Sequence, residues 1–132
     1  MRYLLDTNMV SDLFRDPLGK VSHHIEKVGE SKVCTSIIVV AELRYGIAKK
    51  NSPRLSARLE MILGTLDVLP FEPPADKVYG VIRTHLEKSG RPIGANDLLI
   101  ASQAIALAYT LVSDNEREFA RVEGLHLENW LR

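Results

Sequence analysis

Residues 2–8 read Arg2-Tyr3-Leu4-Leu5-Asp6-Thr7-Asn8. A short run of strand-forming residues stops at an acid, and Asp, Thr and Asn are the residues that open turns or cap helices. The pattern recurs near the other end as Thr110-Leu111-Val112-Ser113 followed by Asp114-Asn115. Strands are therefore expected over Arg2–Leu5 and Thr110–Ser113, each followed at once by an aspartate. Working outward, Lys32–Thr35 and Val68–Pro70 make two further strands, and Leu125–Leu127 a weaker fifth. Between them the sequence predicts helices at Met9–Arg15, broken at Asp16-Pro17, at Val21–Val28, and from a Ser36 cap to Lys50. Further helices cover Arg54–Leu66, the stretch from Pro73-Pro74 to Ser89, and Asn96–Ala108. A last helix of one or two turns is capped by Asp114 or Asn115. Short apolar strands alternating with helices predict an α/β fold with a parallel sheet covered on both faces. In such folds ligands gather at the carboxyl ends of the strands.

The chain has 132 residues, 45% hydrophobic and 26% charged, which are globular proportions. That length supports one domain over 1–132, with a core that needs no disulfides. The single cysteine, Cys34, excludes an internal disulfide and any cysteine-based zinc cluster. An acid at position six leaves no room for a secretory apolar region, and the longest apolar run is Ala104–Tyr109. A reducing cytoplasm and no membrane association are therefore expected. Lys+Arg and Asp+Glu are 17 each, so the net charge is zero and uniform coating by nucleic acid is excluded. A local basic face is not. No acid lies between Glu42 and Glu60, while Arg44, Lys49, Lys50, Arg54 and Arg58 do. That run reads either as a solvated helix face or as a surface that tracks phosphates, with Arg44, Lys49, Lys50 and Arg54 as candidate phosphate contacts. A second basic cluster holds Arg83, His85, Lys88 and Arg91.

Two more acids stand where acids are costly. Glu42 is in line with Ile38, Val39, Tyr45 and Gly46 on its helix, and Asp97 shares a stripe with Ile100, Ala101 and Ala104. With Asp6 and Asp114 they place four carboxylates near one rim. Two such charges ~5 Å apart at an effective dielectric of ~20 repel by ~3 kcal/mol. A hard divalent cation resolves the repulsion, and an all-oxygen donor set suits Mg²⁺, with Mn²⁺ as the substitute. His23, His24, His85 and His126 lack metal-ligand spacing and are assigned to surface or packing. An acidic cation pocket flanked by basic faces points to phosphodiester hydrolysis.

Four pieces of the chain resemble the PIN-domain ribonucleases and, within them, the VapC toxins of toxin–antitoxin pairs. They are Leu5-Asp6-Thr7-Asn8, Ala41-Glu42-Leu43-Arg44-Tyr45-Gly46, Gly90-Arg91-Pro92-Ile93-Gly94 with Asp97 and Ile100-Ala101, and Val112-Ser113-Asp114-Asn115 with Arg117-Glu118-Phe119. The ending Leu125–Trp130 is similar as well. The resemblance implies a three-layer α/β/α fold around a short, mostly parallel five-stranded sheet. It makes Asp6, Glu42, Asp97 and Asp114 the catalytic, metal-binding acids. Asp6 and Asp97 would be direct ligands, with Glu42 and Asp114 acting through water or on a second ion. Thr7, Asn8, Ser113 and Asn115 would orient the acids and the attacking water. It further implies an RNA substrate, tRNA foremost, a homodimer, and a VapB-type antitoxin whose tail enters the site and through which alone DNA is touched. The alternative is a catalytically silent PIN-like module that binds RNA or serves as a scaffold. Two other folds begin with an aspartate after strand one. An aspartate-nucleophile phosphatase needs a second Asp where Asn8 stands, and a receiver domain needs an acidic pair and a late lysine that are missing here.

Overall fold

The structure, a computed structural model, describes residues 1–132. Its centre is β1 (Tyr3–Leu5), flanked by β2 (Val33–Ser36) and β4 (Thr110–Val112), with β3 (Asp67–Leu69) and β5 (Leu127–Glu128) at the edges. All four pairings are parallel, in the order β3-β2-β1-β4-β5. Leu5 lies opposite both Thr35 and Val112. The next residues, Asp6, Ser36 and Ser113, stand side by side, Ser36 still paired with Leu69 as the last residue of β2.

The chain walks from β1 to β2 and β3 on one side, then returns past β1 to β4 and β5. Right-handed crossovers therefore put α1 (Thr7–Arg15), α2 (Lys20–Val28), α3 (Ile37–Lys50) and α4 (Pro53–Leu63) on one face. They put α5 (Ala75–Lys88) and α6 (Ala95–Leu107) on the other, with the short α7 (Glu116–Phe119) leading to β5. The direction reverses between β1 and β4. A crevice opens there in sheets of this kind.

Leu4, Leu5, Met9, Val10, Ile100, Leu111 and Val112 are fully buried between the layers. Each such side chain contributes ~1.5–3 kcal/mol through burial. Helix α6 is buried at Leu98, Ile100, Ala101, Ser102, Gln103 and Ala104, its small residues allowing close approach to the sheet. Trp130 closes the C-terminus: its Nε1 donates to Glu128 Oε1 at 2.9 Å, and His24 stacks on it at 5.0 Å. Cys34 is buried in β2, its Sγ facing the Tyr3 carbonyl at 3.4 Å, and burial pushes its thiol pKa up to about 11. No helix is long and apolar enough to cross a membrane.

The element order matches the sequence expectation, and the differences are local. Helix α1 starts at Thr7 rather than Met9 because Asp6 occupies its cap. Helix α4 stops at Leu63, short of Leu66, as the chain turns at Gly64-Thr65 with Thr65 Oγ1 donating to the Ile62 carbonyl. Strand β3 is Asp67–Leu69, one residue earlier than expected, leaving Pro70, which has no N–H to give, outside it. Strand β5 is Leu127–Glu128 rather than Leu125–Leu127, its place set by pairing with Leu111 and Val112. The cap of α7 is a correction too: Asn115 holds the cap position, but neither its side chain nor that of Asp114 caps the helix.

Candidate active site

The cleft at the carboxyl ends of β1 and β4 is lined by Asp6, Thr7, Asn8, Glu42, Asp97, Asp114 and Asn115, with no hydrophobic residue among them. Its volume is about 380 Å³. Four elements supply it: the β1–α1 junction, the second turn of α3, the first turn of α6 and the loop after β4.

Each acid has its own orienting partner. Asp6 is 5% exposed and divides its oxygens, Oδ1 accepting from Thr7 N at 2.7 Å and Oδ2 from Ser113 Oγ at 2.7 Å. The Ser113 oxygen in turn accepts from Asn115 N at 3.0 Å, which aims its proton at Asp6. Thr7 Oγ1 donates to Glu42 Oε1 at 2.8 Å, tying α3 to the β1–α1 junction. Asn8 Nδ2 donates to Asp114 Oδ1 at 2.8 Å. Asn115 Nδ2 donates to Asp97 Oδ2 at 3.1 Å and to Glu118 Oε2 at 2.7 Å. Asp97 thus turns away from its own helix, as its position on the apolar stripe predicts.

The electrostatics follow from this crowding. Burial raises the pKa of Asp6, against the lowering effect of the Ser113 and Thr7 hydrogen bonds, and Glu42 and Asp114 add to the rise. Asp97 is pushed up to about 7, first by burial and then by the charge of Asp6 and the carboxyl of Glu118. Glu118 moves the other way, held low mainly by the amide of Asn115.

Glu118 is a fifth carboxylate beside the cleft that the sequence reading missed as a site residue. Its spacing from Asn115 is that of a capping partner, whereas it accepts from that asparagine's side chain and, at 3.4 Å, from Gly94 N. The basic candidates scatter. Arg44 pairs with Glu60 through two bonds of 2.9 and 3.1 Å, in solvent. Lys49 lies over the Tyr45 ring at 4.6 Å. Lys50 and Arg54 are exposed and form no ion pair. Lys50, with Arg15, lines a groove that shares Thr7 and Glu42 with the cleft.

A cation fits this donor set. The lining offers only oxygen and amide groups, and Asp6 and Asp97 both resist ionising while unneutralised. No three His, Cys, Asp or Glu side chains close on one point as a cage.

The PIN-domain family model matches residues 3–125. The chain belongs to the PIN-domain family. Within that family it is similar to the VapC ribonucleases. It is 41% identical to Ribonuclease VapC2 of Haemophilus influenzae over 133 residues, 99% of each chain. It is 34% identical to the tRNA(fMet)-specific endonuclease VapC of Shigella flexneri over 131 residues, 98% of each. Among solved structures, VapBC2 from Rickettsia felis bound to a promoter DNA fragment superimposes with a TM-score of 0.91. It is 38% identical and covers 98% of this chain and 99% of the other. The expected PIN fold, with its five-stranded sheet between helices, is the fold observed, and the sheet is wholly parallel.

Proposed function

We propose that this PIN domain is a VapC-type endoribonuclease that hydrolyses RNA phosphodiester bonds with Mg²⁺, or Mn²⁺ in its place. The observation that carries the proposal is the convergence of Asp6, Glu42, Asp97 and Asp114 on one polar cleft, each oriented by a hydroxyl or amide. A silent module has no use for acids held apart so firmly. Asp6 and Asp97 would hold the cation, with Glu42 and Asp114 completing its surroundings through water or a second ion. Such a cation activates water and neutralises charge developing on the phosphodiester. The protein's own groups do the rest. Thr7 and Ser113 fix Glu42 and Asp6, so these carboxylates do not reorganise during the reaction. Glu42 Oε1 and Asp114 Oδ1 are engaged as acceptors, which leaves the second oxygen of each to take a proton from an attacking water. Asn115 holds Asp97 and Glu118 apart on its single amide.

The substrate we favour is tRNA, as the name of the Shigella relative indicates for that protein. Arg44, Lys49, Lys50 and Arg54 would meet its phosphates, Arg44 by leaving its solvent-exposed pair with Glu60. The partner is a VapB-type antitoxin, in line with the VapBC2 complex of Rickettsia felis. The groove between α1, α3 and α4, which runs into the cleft at Thr7 and Glu42, suits its tail. DNA would be reached through the antitoxin only. A homodimer belongs to the same proposal, as does a reducing cytoplasm, where the buried Cys34 stays a thiol.

The test is incubation of purified protein with total RNA in Mg²⁺ or EDTA, with the new ends mapped. Cuts that need the metal and leave a 5′-phosphate and a 3′-hydroxyl are expected. Cuts that persist in EDTA with 2′,3′-cyclic ends overturn the acid-cluster mechanism.

A further inference from the structure

Gln103 sits in the middle of α6 and is 1% exposed, a primary amide inside the core. Both ends of that amide are used. Its Oε1 accepts from Ser36 Oγ, and its Nε2 donates to the Pro70 carbonyl at 3.0 Å and faces the Leu69 carbonyl at 3.4 Å. Ser36 is also fully buried, and its oxygen caps α3 by accepting from Ile38 N at 3.0 Å. One side chain therefore joins α6, the start of α3 and the end of β3. None of these residues lines the cleft, yet two of the three elements carry its acids: Asp97 in the first turn of α6 and Glu42 in the second turn of α3.

The other two acids need no such tie. Asp6 and Asp114 follow adjacent strands of one sheet, and the pairing of β1 with β4 fixes their separation. Asp97 and Glu42 stand on separate helices. An apolar residue at 103 would fill the space and leave the two helices free to slide on van der Waals contact. A hydrogen-bonded amide gives a single register, since a shift strands a buried donor or acceptor.

We propose that Gln103 is a positioning residue of the cleft, setting the gap between Asp97 and Glu42 through its bond to the Ser36 hydroxyl. The proposal rests on the metal-dependent reading of the cleft, and it assigns Gln103 no contact with metal or RNA. Two removals and one rescue test it. Gln103→Met keeps the length and removes the hydrogen bonds. Ser36→Ala removes only the hydroxyl, while Ser36→Thr keeps it as the conservative rescue. Mn²⁺ binding is measured by calorimetry on each metal-free protein, beside its melting temperature in EDTA and its RNA KM.

Both removals are expected to weaken Mn²⁺ binding by about 10-fold, the lower end of what supporting partners of a metal site contribute. The RNA KM should stay unchanged, and Ser36→Thr should restore the affinity. The double variant should lose less than the sum of the two single losses, because both remove the Ser36–Gln103 bond. If Gln103→Met does not fold, the pair Ser36→Ala and Ser36→Thr carries the test alone. Wild-type Mn²⁺ affinity in variants whose melting temperature has dropped overturns the proposal and makes Gln103 a core residue only. Wild-type protein that binds no Mn²⁺ overturns the metal reading of the cleft, and this proposal with it.

Discussion

The acidic cleft and the α3–α4 hairpin handle charge in opposite ways. In the cleft, like charges are brought together and partly buried, and each carboxylate is fixed by a neutral donor from Thr7, Asn8, Ser113 or Asn115. On the hairpin, opposite charges meet in solvent, as where Arg44 grips Glu60 with both side chains about half exposed. The cleft stores repulsion that a cation can release. The hairpin stores almost nothing, because solvent screens exposed pairs. Geometry held against electrostatic cost marks a place of chemistry, whereas geometry that follows electrostatics marks a surface.

The largest expected effect comes from breaking the cleft. Asp97→Asn keeps the shape, removes the charge, and should cut metal-dependent RNA cleavage by about 100-fold or more while the protein stays folded. Undiminished cleavage removes Asp97 from the mechanism. Next is stability without metal. Asp6→Asn should raise the melting temperature in EDTA by a few degrees by relieving the repulsion, and an unchanged or lower value argues against stored repulsion.

The pH dependence sharpens the same contrast. Asp97 titrates near 7 in the fold, against ~3.9 in an unfolded chain. The native state therefore binds more protons than the unfolded one across that window. Its contribution to stability is complete below about pH 4 and is lost as pH rises through about 7. Asp6, also raised, acts in the same direction. In EDTA the melting temperature should fall from pH 5 to pH 8, and Asp97→Asn should flatten the slope. Cleavage should climb over the same range, since the cation needs the ionised form.

Smaller effects belong to the hairpin. Lys50→Gln with Arg54→Gln should weaken RNA binding and reduce its salt slope by about one unit per lost contact. An unchanged slope returns these residues to being a solvated face. Glu60→Gln, which frees Arg44, should leave the melting temperature within measurement scatter.

The parts of this molecule legible in the sequence are those where one residue breaks a local pattern. Asp6 stands directly after one apolar strand and Asp114 two residues past another, and Glu42 and Asp97 interrupt apolar stripes, so a period of two or of 3.6 exposes them. Glu118 broke no pattern, because a glutamate three residues after Asn115 is what a capping box looks like. Gln103 was invisible for a related reason. It lies off the stripe of Ile100, Ala101 and Ala104, where solvent is expected, but α6 is buried almost all round. The pairing of Arg44 with Glu60 was not legible either, because the two stand sixteen residues apart and meet only when α3 and α4 fold back on each other. The two residues of β5 are placed by their partner strand more than by their own propensity.

Cys34 has a consequence for how the molecule can be studied. The only thiol is buried in a central strand with its pKa near 11, so hardly any of it is thiolate at neutral pH. Alkylating probes will pass it by. The wild-type protein is therefore a silent background for labelling, and one exposed substitution such as Met61→Cys gives a dye or spin label a single address.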